Sequence, residues 1–127
     1  MTPLVVFFSW KGITKPVRDF VAVYDLITII ETEPPYFGAT YPEIVERTDA
    51  VRKRGLIDRA LPDFFHNLRS SSSHRRIHAV LVLDRLDEDA CSAVDQLEKL
   101  SEGPKLHAGT RADIRSLAER FRKHIRK

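Results

Sequence analysis

Residues 4–14 constrain the chain most. Five apolar residues, LVVFF at 4–8, run without a break into Ser9, followed by Gly12 and Thr14. A run this continuous predicts a central parallel strand buried on both faces. Thr14 then reads as a helix N-cap, with Pro16 in the first turn where its missing N–H costs little. Val17, Phe20, Val21 and Tyr24 recur at the spacing of one helix face. A strand, a turn with glycine and a helix start bring unpaired N–H groups and the positive end of a helix dipole to one point. That predicts a phosphate site, with hydroxyls from Ser9 and Thr14 and close backbone approach at Gly12. The plainer alternative makes Thr14 only a cap and Gly12 only a tight turn.

The rest of the chain alternates in the same style. Residues 26–30 (LITII) predict a second strand. Tyr41-Pro42 opens a helix with Ile44, Val45, Thr48 and Val51 on one face and a stop at Gly55. Ile57, Leu61, Phe64, Phe65 and Leu68 mark another helix, and residues 70–73 a polar loop. Residues 77–83 (IHAVLVL) predict a third strand. Ala90, Val94, Leu97 and Leu100 predict a helix ending at Gly103-Pro104, and residues 105–108 a short fourth strand. Ile114, Leu117, Ala118, Phe121 and Ile125 give a C-terminal helix, with Thr110 and Asp113 as its capping box. This order predicts an α/β three-layer sandwich with a parallel sheet, in a single domain spanning residues 1–127.

The turn with Ser9, Gly12 and Thr14, then Glu33-Pro34, then Tyr41-Pro42, resembles the first part of the flavodoxin family. Lys11 stands where that family usually has threonine, and Ile13 where it usually has asparagine. The resemblance implies a flavodoxin-like fold, shortened here to about four strands. It implies FMN as cofactor, bound by Ser9, Trp10, Lys11, Gly12, Ile13 and Thr14, with Trp10 and Tyr36 placed to line the flavin ring. The activity it implies is FMN-dependent electron transfer or redox chemistry, in which the protein positions the flavin. It assigns no catalytic side chain. The family's second flavin loop has no counterpart between Gly55 and Ser70, where the spacing is helical. A second expectation therefore stands beside the first: a flavin-free flavodoxin-like scaffold serving as a protein interaction or assembly module.

Composition bounds the remaining classes. The 127 residues are 43% hydrophobic and 31% charged, as in ordinary globular domains. No apolar run reaches the length of a membrane span, and the N-terminus lacks the basic start of a signal peptide. A lone cysteine, Cys91, excludes an intrachain disulfide and a cysteine-based zinc site. Cytoplasmic residence without membrane contact is expected. The net charge of +3, concentrated in Arg120, Arg122, Lys123, Arg126 and Lys127, allows an acidic redox or assembly partner. Without interleaved aromatics it does not predict nucleic-acid binding. The five histidines lack metal-ligand spacing. Asp84, Asp87, Glu88 and Asp89 suit either a Mg²⁺ pair or helix capping; capping is the ordinary reading, and no metal is expected. Glu98 reads as part of a solvated helix face.

Overall fold

The computed structural model describes residues 14–32 and 41–126. These form six α-helices: α1 (Lys15–Ile30), α2 (Tyr41–Lys53), α3 (Ile57–Leu68), α4 (Ser73–Leu86), α5 (Val94–Ser101) and α6 (Ala108–Ile125). A 3₁₀ segment, Asp87–Ala93, joins α4 to α5. No strand occurs among the described residues, so the fold is all-α. This corrects the flavodoxin-like α/β sandwich and its parallel sheet. Residues 4–8, read as the first strand, lie outside the described residues.

Three strand expectations can be compared, and for two of them tertiary packing overrides β-propensity. Residues 26–30 are the last turns of α1. Leu26, Ile29 and Ile30 are buried while Thr28 is exposed, which is helical spacing and not alternation. Residues 77–83 lie within α4. His78, Ala79, Val82, Leu83 and Leu86 are buried, and Ile77 is exposed. α4 packs against α1, α2, α3 and α6. A helix covered on several sides carries a nearly continuous apolar run, which imitates a buried strand in sequence. Residues 105–108 form the end of the α5–α6 turn and the start of α6.

The helix boundaries follow from local chemistry. α2 carries Glu43 in its first turn and Arg52 and Lys53 in its last, matching the helix dipole. It ends in a Schellman motif: the Leu56 N–H donates to the Val51 carbonyl (3.1 Å) and the Gly55 N–H to the Arg52 carbonyl (3.0 Å). Gly55 takes φ +71°, where a side chain would strain the backbone. The Ser72 hydroxyl caps α4 by accepting from the Arg75 N–H. The cap of α6 is His107, whose ring accepts from the Gly109 N–H; Thr110 is buried inside the first turn instead of capping it.

Phe64 and Phe121 are fully buried, with Leu26, Ile30, Ile44, Leu83, Leu97 and Ile114 around them. Charged ties fasten the helices at the rim of this core. Asp19 accepts from Lys15 (2.6 Å) and, across the α1–α2 pair, from Arg54 (3.1 Å). The Lys15 hydrogen bond chiefly holds the Asp19 carboxyl below the usual range, against the opposing effect of burial. Asp49 of α2 accepts two hydrogen bonds from Arg85 of α4 (3.1 and 2.9 Å) and one from Arg52, which also reaches Asp89. The buried His78 donates from Nδ1 to the Ile30 carbonyl at 2.9 Å, fixing α4 to the end of α1. Among the described residues, no helix is long and apolar enough to cross a membrane.

A candidate ligand groove

Pro62 and Phe65 lie one turn apart on α3, with Arg69 one turn further, just past the helix end. Gln96, Lys99 and Leu100 share the equivalent stripe of α5. The turn Gly103-Pro104-Lys105-Leu106 closes the space beside them. Together these residues line a groove of about 790 Å³. Its apolar lining is the buried Phe65, the half-buried Leu100 and Leu106, and the exposed Pro62 and Pro104. Its charged members are Arg69, Lys99 and Lys105, all exposed, and no carboxylate belongs to the lining. Volume and lining match the usual small-molecule site, an apolar cleft with a few polar groups.

The turn that forms one wall is held by a single side chain. Arg111, in the first turns of α6, reaches back and donates to the carbonyls of Ser101, Gly103 (2.8 Å) and Leu106 (3.3 Å). Gly103 fits because a Cβ there would lie 3.2 Å from the Leu100 carbonyl oxygen. The wall is thus fixed to α5 at one end and to α6 at the other, and it is preformed.

The groove cations differ from the paired arginines of α6. Arg120 pairs with Asp84 (2.8 Å) and Asp87 (3.0 Å), and His124 also meets Asp87. Arg122 is fixed by Glu98 and Asp95, whose hydrogen bonds, Glu98 first, hold its guanidinium pKa above the ordinary value. Arg69, Lys99 and Lys105 have no ion pair among the described residues. A smaller hollow of about 360 Å³ lies along α5 and α6, but the Glu98–Arg122 pair spans its mixed-charge lining.

The acidic cluster behaves as structural chemistry. Asp84 and Asp87 are taken up by Arg120, and Asp89 by Arg52. No group of three metal-ligating side chains suited to an ion occurs among the described residues. Glu98, expected on a solvated face, is half-buried and paired with Arg122. The Cys91 thiol donates to the Phe121 carbonyl; burial first, then Asp87, Glu88 and Asp89, push its pKa up, so it stays protonated and is a poor nucleophile.

Of the residues expected to bind FMN, Ser9, Trp10, Lys11, Gly12, Ile13 and Tyr36 lie outside the described residues. Thr14 is described: it is the exposed N-cap of α1, and its side chain makes no cap hydrogen bond. The all-α fold of the described residues replaces the flavodoxin sheet, while the turn expected to hold the FMN phosphate lies outside them. Sequence reasoning missed the groove. A signal was present in the repeated Lys-Leu pair, Lys99-Leu100 and Lys105-Leu106, on either side of Gly103-Pro104. Compared with family models, curated proteins and solved structures, the chain gives no match.

Proposed function

We propose that the chain is a helical binding module whose α3–α5 groove holds a small ligand with an apolar body. One observation supports this above the others: a preformed cleft of about 790 Å³ whose apolar lining is Phe65, Leu100 and Leu106 with Pro62 and Pro104. Burying apolar surface there would drive binding at about 25 cal/mol per Å² of area removed from water. Ten residues line the cleft, whereas a stable protein partner usually covers roughly 20–30 residues a side. A compact ligand therefore fits this cleft better than the face of a folded partner.

Nile red, an uncharged dye whose emission shifts to the blue in apolar surroundings, tests the reading. The protein should shift and brighten the dye, and saturating dye should raise the melting temperature, because it binds the folded state. Leu100→Asp should remove both effects while the helical circular dichroism is kept. Failure of the protein to shift the dye, or an equal shift in the Leu100→Asp variant, refutes the groove as the binding site.

A further inference from the structure

Resting on that reading of the groove, we propose that its ligand is an acid: an apolar body carrying one anionic head group, a carboxylate or a phosphate monoester, held by Arg69, Lys99 and Lys105. Three cations border an apolar lining and no carboxylate lines the cleft. Elsewhere on the molecule Arg52, Arg54, Arg85, Arg120 and Arg122 are each engaged by an aspartate or glutamate. The groove cations have no such partner among the described residues; Lys53, Arg59, Arg115, Lys123 and Arg126 share that property, and what sets Arg69, Lys99 and Lys105 apart is the apolar cleft they border.

Helix dipoles account for two of the three. Arg69 is the C-cap of α3 and Lys99 lies in the last turn of α5, where positive charge is favourable in itself. They do not account for Lys105. It stands four residues beyond Ser101 and three before Ala108, on the approach to the positive end of α6, where an acidic residue would be preferred. The apolar stems of lysine and arginine can lie along the cleft while their charged ends stay at its mouth. An amphiphile is complementary to that arrangement: its body replaces water on Phe65, Leu100 and Leu106, and its head meets the cations. Arg69 adds a planar fork that suits either carboxylate or phosphate oxygens.

Displacement of bound Nile red by ten-carbon amphiphiles, all kept below their micelle-forming concentrations, is the test. Decanoate and decyl phosphate should displace the dye at concentrations about tenfold lower than decanol, the scale expected when several modest charge contacts act together. Decyltrimethylammonium should be the weakest. Added salt should weaken the two anions and leave decanol unchanged. In the R69Q/K99Q/K105Q variant the anions should fall to the level of decanol, with Nile red still bound. Equal displacement by decanoate and decanol overturns the charge assignment while the groove reading survives. No Nile red binding at all overturns both. Binding to anionic vesicles or to an acidic peptide, with no binding of the monomeric anions, also overturns the proposal, because the ligand would then be a surface or a polypeptide.

Discussion

Arg111 holds the groove wall, and replacing it should change stability and binding together. Arg111→Met keeps an apolar stem of similar length and removes the guanidinium. Three acceptors lose their donor: the carbonyls of Ser101, Gly103 and Leu106. A hydrogen bond from a charged donor contributes about 1.5–3 kcal/mol net, and a neutral one about 0.5–1.5 kcal/mol. The contact to Leu106, at 3.3 Å, is the weakest of the set. The turn lies at the surface, so water can satisfy the freed carbonyls and the loss falls well short of the sum. A cost of about 2 kcal/mol follows, or roughly 6–10 °C in melting temperature for a domain of this size. The loosened turn must also be ordered again whenever ligand binds; refixing the equivalent of one residue costs about 1–2 kcal/mol, so Nile red affinity should fall by about tenfold. Calorimetry and dye titration on the same samples read both effects. If the variant melts within a degree of the parent and binds dye equally, the guanidinium is not what holds the wall or preforms the groove.

The remaining predictions concern the core and the charged ties. Leu26 is fully buried and Phe20 is 64% exposed, so Leu26→Ala should cost about 2–5 kcal/mol and Phe20→Ser less than about 0.5 kcal/mol in denaturant titrations. Comparable losses from the two would place the Phe20 face of α1 inside the core. The Asp49 carboxyl is held below its ordinary pKa of 3.8, first by the Arg85 hydrogen bonds. A carboxylate with a lowered folded-state pKa stabilises above its unfolded pKa, and that contribution is lost as pH falls through the folded value. Asp49→Asn should therefore lower stability near neutral pH by at most about 1 kcal/mol, since the side chain is 39% exposed. The gap to the parent should close below about pH 4; a gap that widens on acidification refutes the assignment.

Where a helix is covered on one side only, its pattern was legible. Ile44, Thr48 and Val51 mark the inner face of α2, and Gly55 its end; Leu61, Phe64 and Leu68 do the same for α3. Legibility failed where burial is not one-sided. α4 packs against four other helices, so Val80 and Leu81 are partly covered beside the buried stripe His78, Ala79, Val82 and Leu83, and within residues 77–83 periodicity has little to register. Its short run of isoleucine, valine and leucine then looks like a strand by composition. In α1 the error took another form. Val17, Phe20 and Tyr24 have helical spacing and belong to a helix, but they lie on its exposed face, with Phe20 and Tyr24 stacked at 5.9 Å. The buried face continues in Leu26, Ile29 and Ile30, the residues assigned to a strand.

The groove was hard to read for a different reason: its chemistry depends on which charges lack partners, and pairing is a long-range property. In sequence, Lys99 and Lys105 look no different from Arg120 and Arg122, and the richest concentration of positive charge lies at the end of the chain. Folding commits part of that charge within the molecule: Asp84 and Asp87 of the α4 end engage Arg120, and Asp95 and Glu98 of α5 engage Arg122. The cations left without carboxylate partners around an apolar cleft are the ones beside Gly103-Pro104. Arg111 is the clearest instance. By sequence it is one more basic residue on an amphipathic helix, yet its position in the first turns of α6 directs it onto the turn before its own helix. A basic side chain just after a Gly-Pro turn is thus a feature that sequence reasoning can carry forward: it can close the turn on itself and leave the neighbouring cations free for a ligand.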